Sequence, residues 1–327
     1  MINWGIIGCG NVTEVKSGPA FNKVDGSRLV AVMRRDKALA EDYARRHGVP
    51  KFYNNAGDLI NDPDINAIYV ATPPGSHAEY AIKSIAAGKP VYIEKPMGLN
   101  HAECMKINEA SEKYKVPVFV AYYRRALPGF LAVKELVSKG SLGRIRHVFI
   151  KCFKSPSADE LSGKTSWRVQ PEISGGGHFF DLASHQLDYL DFLLGPVQKV
   201  SSLALNQAGL YKAEDFVSAS FLFPQDVAGT GIWCFSAAPE SNCDLIEITG
   251  DKGKLIFSTF SFEPIILDNG EGRKEFINER PEHVQFYLIK QVVKALSGEG
   301  TAVSTGITAA RTSKVMDEVV EGYYAKE

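Results

Sequence analysis

The segment Gly8-Cys9-Gly10-Asn11-Val12-Thr13 follows directly on the apolar run Trp4-Gly5-Ile6-Ile7. A buried strand that ends in a glycine-rich turn and feeds a helix opens a βαβ unit. Such a unit commits the chain to a parallel sheet with helices on its faces. The following hundred residues keep the pattern. Strands are expected over 3–7, 28–33, 67–71, 90–94 and 118–121, with helices over 36–47, 75–87 and 101–115 between them. Each strand run is too continuously apolar for a strand with one wet face. Pro63, Pro73-Pro74, Gly88 and Pro117 stand at the joints, where turns are needed.

From about Arg146 the pattern changes. Residues 145–153 read as a strand and 178–194 as a helix, after which strands follow without helices between them. The period-two alternation over 216–223 marks a half-buried antiparallel strand, and 228–235, 245–249 and 254–257 show it more loosely. Helices over 282–296 and 307–324 close the chain. The expected fold is α/β: an N-terminal Rossmann domain with a doubly wound parallel sheet, then an α+β domain with an open, mainly antiparallel sheet. With 327 residues, two domains are the default, here 1–122 for the dinucleotide and 123–327 for the substrate and oligomerisation.

Composition excludes several classes. The 37 basic and 38 acidic residues give a net charge of -1, against the cationic excess that nucleic acid or an anionic membrane surface demands. The five cysteines form no C-x-x-C pair, so neither a thiolate zinc site nor a disulfide framework is expected. No leader segment and no membrane-length apolar run is recognised, so a cytoplasmic protein is expected.

Gly8 and Gly10 allow close backbone approach to a pyrophosphate, which takes hydrogen bonds from amides at the helix N-terminus, those of Asn11 and Val12. The third motif position is Thr13 rather than glycine, and a tight turn with no ligand is the alternative. Pro19 is expected to disturb or shorten the helix that follows. At the end of the second strand, where NAD-binding domains carry an acid for the ribose hydroxyls, the chain reads Arg34-Arg35-Asp36. Two guanidiniums suit a 2′-phosphate, so NADP(H) is favoured. NAD(H) is the alternative, should a register shift bring Asp36 back as the ribose acid; Asp36 also suits a helix N-cap, and a solvated basic helix start is the plain reading of the arginines. Thr72, Pro73 and His77 fall where ribose and nicotinamide contacts are made in such sheets, though alone they are an ordinary strand-to-helix turn.

Lys95, in Glu94-Lys95-Pro96, ends a buried strand and suits the oxygen where charge develops in a hydride transfer. After Gly175-Gly176-Gly177, a helix would place His178, Asp181, His185 and Asp188 on one face. His185 titrates near neutrality and can move a proton, while Asp181 can orient it. A divalent metal site and a polar face of structural histidines are rival readings; no metal is expected. Trp167-Arg168 upstream offers an apolar ring for a sugar face and a guanidinium for a polar group.

The ordered set Gly8-Cys9-Gly10-Asn11, Thr72-Pro73-Pro74 with His77, Glu94-Lys95-Pro96, and Gly175-Gly176-Gly177 with Asp181, His185 and Asp188 resembles the glucose–fructose oxidoreductase / inositol dehydrogenase (Gfo/Idh/MocA) family. The resemblance implies a Rossmann domain followed by an open-faced sheet domain, dimeric or tetrameric through that face. It implies Lys95, Asp181 and His185 as the catalytic set. Cofactor contacts are then expected from Gly8, Gly10, Asn11, Val12, Arg34, Arg35, Thr72, Pro73, His77, Glu94, Lys95, Trp167 and Arg168. Substrate contacts are expected from Lys95, Tyr123, Trp167, His178, Asp181 and His185. Met33-Arg34-Arg35 and Trp167-Arg168 are similar to those of NADPH-dependent sugar reductases in the family, whereas His178 replaces a more usual apolar residue. The expected activity is hydride exchange with a sugar or polyol. The alternatives are a redox-neutral glycosidase using bound NAD and a non-enzymatic NADP-binding sensor.

Overall fold

The structure, a computed structural model, describes residues 1–325. By internal contacts the chain divides into two compact units, one formed by Met1–Ala126 with Pro281–Ala310, the other by Leu127–Arg280 and the chain from Arg311 on. This differs from a simple division at residue 122, because the segment from Pro281 returns to the first unit. Hydrogen bonding explains the return. The amide of Gln285 donates to Lys16 O at 3.2 Å and the His283 ring lies 2.6 Å from Val15 O.

The first unit holds β1 (Ile2–Ile7), β2 (Ser27–Met33), β3 (Lys51–Tyr53), β4 (Ala67–Val70), β5 (Val91–Ile93) and β6 (Val118–Val120). They form one sheet in the order β3-β2-β1-β4-β5-β6, every pair parallel. Reversal of strand order between β1 and β4 is the doubly wound arrangement, with its ligand side at the carboxyl ends of the strands. The interior strands are buried on both faces: Ile68, Val70, Ile93 and Val120 are fully buried in one core with Leu59, Ile85 and Ile107 of the covering helices. On the other face Trp4, Phe21, Tyr69 and Tyr92 pack ring against ring, Tyr69 and Tyr92 stacked at 5.1 Å.

The second unit is built on β7 (Ile145–Phe153), β8 (Lys199–Leu205), β9 (Phe216–Phe223), β10 (Val227–Cys234), β11 (Cys243–Gly250), β12 (Gly253–Phe257), β13 (Ile265–Asn269) and β14 (Gly272–Phe276). Their order is β14-β13-β12-β11-β7-β10-β9-β8, antiparallel throughout except for the parallel pair β7 and β10. The helix His178–Leu194 lies against one face of this sheet. Phe179 meets Trp233 edge-on at 5.1 Å, and the Gln186 amide bridges Trp233 Nε1 (2.7 Å) and Thr259 Oγ1 (3.2 Å). Burial therefore alternates along β7, with Val148, Ile150 and Cys152 buried and Phe149, Lys151 and Phe153 half-buried on the opposite face. No helix among the described residues is long and apolar enough to cross a membrane.

Candidate active site

Because every strand of the first unit is parallel, their carboxyl ends line one edge, and the expected cofactor residues of this unit follow those ends in sequence, whereas Trp167 and Arg168 belong to the second unit. Gly8 and Gly10 follow β1, Arg34 and Arg35 follow β2, Thr72 and Pro73 follow β4, Glu94 and Lys95 follow β5, and Tyr123 follows β6. The glycine turn is tied to the end of β2, since Met33 O accepts the amides of Gly8 (2.9 Å) and Cys9 (3.1 Å). Gly8 has φ +93°, and a Cβ there would stand 2.6 Å from the Thr72 methyl, so only glycine lets β1 and β4 approach so closely. A Cβ on Gly10 would meet nothing nearer than Gly8 O at 3.9 Å, so the loop is open on that side.

The helix after the turn is short, Asn11–Val15, and a second, Gly18–Lys23, starts with Pro19 in its first turn. The interruption expected from Pro19 therefore occurs. Thr13 stands in the third motif position because its hydroxyl closes the turn, accepting from the Gly10 amide (3.0 Å) and donating to Gly10 O (2.8 Å). The close-packing role of a third glycine moves to Gly18, where a Cβ would meet Thr13 O at 2.2 Å. The amides of Asn11 and Val12 sit in the first turn of the short helix, where no intrahelical partner exists. Burial pushes the Cys9 thiol up to about 11, with the Arg34 charge acting against it, so the thiol stays neutral and Arg34 lies within electrostatic reach of the turn. Open space at Gly10, these amides and the neighbouring guanidinium together fit a dinucleotide phosphate.

Asp36 is the N-cap of the helix Lys37–His47, its carboxylate accepting the Leu39 amide at 3.1 Å. Arg34 and Arg35 precede it and are both exposed.

Two of the expected cofactor residues point elsewhere. His77 is fully buried, and its ring nitrogens lie 2.9 Å from Pro96 O and 2.7 Å from Thr72 O. It staples the turn after β4 to the turn after β5 and has no face left for a ligand. Burial pushes its pKa down, while the two carbonyls favour the protonated ring. Glu94 turns inward as well: its carboxylate accepts from the Tyr69 hydroxyl and, at 2.5 Å, from the Gln285 amide. The other Glu94 oxygen accepts the backbone N–H of Lys95 at 3.2 Å. The Lys95–Pro96 peptide is cis. After β6, Arg124 lies over the Tyr123 ring at 4.9 Å and Arg125 donates to Val303 O at 3.3 Å, so this arginine pair is used within the first unit.

In the second unit, His178, Asp181, His185 and Asp188 all belong to the helix His178–Leu194. Their environments separate them. Asp188 is fully buried and takes the Thr312 hydroxyl at 3.3 Å, which makes it structural. His178 is paired with Glu160 at 2.5 Å, its ring edge-on to Tyr211 at 5.8 Å. Glu160 in turn caps its own short helix through Ser157. His178 thus anchors the 154–166 connection, which is why an apolar residue is absent there. Asp181 is partly exposed and lies 3.4 Å from Arg168 Nε, while the same guanidinium covers the Trp167 ring at 4.5 Å. His185 is nearly buried, its ring edge-on to Phe260 at 6.0 Å. Trp167, Arg168 and Asp181 therefore form one half-exposed cluster, with His185 one turn further along the helix. Among the described residues no group of three or more His, Cys, Asp or Glu could hold a metal ion.

Sequence reasoning missed two buried groups behind these residues. Glu214 accepts the Gly177 amide at 2.9 Å and the Tyr324 hydroxyl at 2.5 Å, fixing the start of the helix His178–Leu194. Gln285 does comparable work behind Lys95. Neither stands in a recognisable motif: Glu214 sits in the charged run Lys212-Ala213-Glu214-Asp215 and Gln285 follows Glu282-His283-Val284, so no local pattern marks either as buried.

Comparison with known proteins agrees with this fold. Residues 2–122 match the model of an oxidoreductase family with an NAD-binding Rossmann fold (Gfo/Idh/MocA), and residues 130–256 match that family's C-terminal domain. A Formosa agariphila protein named as an oxidoreductase is 41% identical over 318 residues, covering 97% of both chains. The 1,5-anhydro-D-fructose reductase of Ensifer adhaerens is 25% identical, over 94% of this chain and 91% of that protein. Among solved structures, a levoglucosan dehydrogenase in complex with NADH and L-sorbose superposes with a TM-score of 0.89 at 22% identity, covering 100% of this chain and 98% of that one. Motifs, fold and full-length similarity agree: this chain belongs to the Gfo/Idh/MocA family of oxidoreductases.

Proposed function

We propose that the chain exchanges hydride between NADP(H) and a carbonyl or alcohol carbon of a sugar or polyol. The observation that carries this reading is the gathering of an open glycine turn, Arg34 with Arg35, and Lys95 along one edge of a fully parallel sheet. Named relatives that act on 1,5-anhydro-D-fructose or levoglucosan support the substrate class. A nicotinamide, when bound, supplies or accepts the hydride.

The chain's own residues do the rest. The amides of Asn11 and Val12 and the space at Gly10 receive the pyrophosphate, with Thr72 and Pro73 at the neighbouring strand end. Arg34 and Arg35 receive the 2′-phosphate, because Asp36 is engaged as a helix cap. In reduction, His185 gives a proton to the substrate oxygen and Lys95 hydrogen-bonds that oxygen as it gains charge. Asp181 assists His185, held in place by Arg168, and Trp167 offers its ring to the sugar. Tyr123 lies near the same strand edge as a substrate contact. Oxidation uses the same groups in reverse.

The half-buried face of the second sheet, with Phe149, Phe153, Ile232 and Leu245, supports assembly into a homodimer or homotetramer. Five free cysteines suit a reducing compartment such as the cytoplasm.

The test is an absorbance assay at the nicotinamide wavelength against a sugar and polyol panel that includes levoglucosan and 1,5-anhydro-D-fructose. Turnover by the wild type and a fall of roughly 10²–10⁴ in kcat for Lys95→Ala and His185→Ala are expected. Wild-type turnover in either variant overturns the assignment. Product formed without absorbance change, with NAD co-purifying, would replace it by redox-neutral glycoside cleavage.

A further inference from the structure

We infer that Gln285 is a positioning residue for Lys95, acting through Glu94 from the segment that returns to the first unit after Arg280. The inference rests on the reading of Lys95 as a catalytic group.

Glu94 precedes Lys95 at the end of β5, and its carboxylate is buried rather than presented to a ligand. A buried carboxylate must be saturated with donors, and each donor fixes its orientation. One oxygen, Oε1, receives two: the Tyr69 hydroxyl from β4 and the Gln285 side-chain amide at 2.5 Å. The second oxygen is then turned toward the chain itself, where it accepts the Lys95 backbone N–H at 3.2 Å. The direction in which the chain leaves β5, and hence the origin of the Lys95 side chain, follows from how Glu94 is held.

Gln285 is itself fixed on every side. It is fully buried, its carbonyl oxygen accepts the Tyr92 hydroxyl at 2.9 Å, and its backbone amide donates to Lys16 O at 3.2 Å. Tyr69 also lies 3.1 Å from Ser17 Oγ, whose hydroxyl reaches Val12 O at 3.3 Å. A single buried network thus joins the helix after the glycine turn, β4, β5 and the segment around Gln285. Val12 lies in the short helix after the glycine turn and Lys16 caps its end; Glu94 adjoins the proposed catalytic lysine. The titratable groups facing Glu94 are Tyr69 and Tyr92 within this network, with His77 in electrostatic reach.

Leucine at 285 preserves volume but removes both hydrogen bonds, and Glu94 loses one of the two donors that orient it. Glutamate offers a different contrast. Protonated, it donates to Glu94 as the amide does; ionised, it repels it.

The experiment compares full-length wild type, Gln285→Leu, Gln285→Glu and Lys95→Ala. Three quantities are measured: NADPH affinity by fluorescence titration, kcat and KM on the panel sugar the wild type turns over, and hydrogen exchange at the Lys95 backbone amide. Gln285→Leu is expected to lower kcat by about tenfold or more while sugar KM and NADPH affinity stay within about threefold. Its Lys95 amide is expected to exchange at least about tenfold faster. Gln285→Glu is expected to recover activity in acid, its kcat relative to wild type declining as pH rises, where the Gln285→Leu ratio stays flat. A residue that merely stabilised the fold would lower the melting temperature and leave kcat intact. Wild-type kcat in Gln285→Leu, beside an inactive Lys95→Ala, overturns the inference alone. An active Lys95→Ala overturns the underlying reading instead. If the wild type turns over no panel sugar, the proposed reaction has failed, and an unchanged Lys95 amide in Gln285→Leu overturns the linkage while accelerated exchange supports it.

Discussion

Glu214 accepts the backbone N–H of Gly177 at 2.9 Å, and Gly177 is the cap residue from which the helix His178–Leu194 starts. The approach is so close that a Cβ on Gly177 would stand 2.6 Å from the Glu214 carbonyl oxygen. Glycine is required there for contact, not for an unusual φ. Its side-chain oxygen satisfies an amide that no intrahelical bond can reach. The helix that carries Asp181 and His185 is therefore set from below by a buried acid.

That acid makes stability depend on pH. Burial raises Glu214 to about 7 from an ordinary 4.5, with the Tyr324 hydroxyl and Gly177 amide opposing the shift. The folded state holds a proton that the unfolded chain releases first. Its contribution is complete below the unfolded value of 4.5 and is lost as pH rises through about 7. Glu214→Gln is expected to abolish this slope, which amounts to about 3 kcal/mol at most. Urea unfolding from pH 4 to 8 measures it; parallel curves for the two proteins would rule the assignment out.

Arg168 and Asp181 form a partly exposed pair at 3.4 Å, and such pairs contribute roughly 0–1 kcal/mol to stability. Asp181→Asn is accordingly expected to leave the melting temperature nearly unchanged while lowering kcat by about 10²-fold. Loss of stability together with activity would point to a structural role for the aspartate instead.

The two glycines of the nucleotide turn are expected to fail differently. Gly8→Ala meets a positive φ and the Thr72 methyl at once, and should destabilise the protein by about 1–3 kcal/mol. Gly10→Ala meets neither obstacle and should fold normally, yet weaken cofactor binding by about tenfold or more by filling open space. Thermal melts and fluorescence titration with NADPH separate the two effects; equal melting losses would contradict the geometry.

Much of this organisation is legible in the chain because strong periodicity and buried runs coincide. The helix over 178–194 and the strands over 145–153 and 216–223 occur where the pattern places them, because one face of each is buried. Lys199–Leu205 escaped because it is an edge strand exposed along most of its length, and Gly272–Phe276, at the other edge, reads Gly-Arg-Lys-Glu-Phe. Edge strands carry polar residues that resist further pairing, so they lack the alternation by which strands are recognised. Lys51–Tyr53 is only three residues long. His77 and Glu94 carry the residue types of a ligand site, yet both are consumed by backbone and side-chain partners that sequence spacing does not reveal. The partnership of Gln285 with Glu94 spans 191 positions, beyond the reach of any local pattern.

On the proposed reading, the end of β2 is where the two nicotinamide cofactors are told apart. Arg34 and Arg35 are exposed beyond Met33, whereas the Asp36 carboxylate is bound to the Leu39 amide as a helix cap. Removing the cap in Asp36→Ala is expected to cost about 1 kcal/mol and leave cofactor preference unchanged. Arg34→Asp should do the reverse: stability is kept, a new carboxylate repels the 2′-phosphate, and preference moves from NADPH toward NADH by about tenfold or more. Calorimetric titration of both variants with both reduced cofactors distinguishes the roles. If Asp36→Ala abolishes NADH binding and Arg34→Asp leaves NADPH affinity untouched, Asp36 is the ribose acid and the arginines are a solvated helix start.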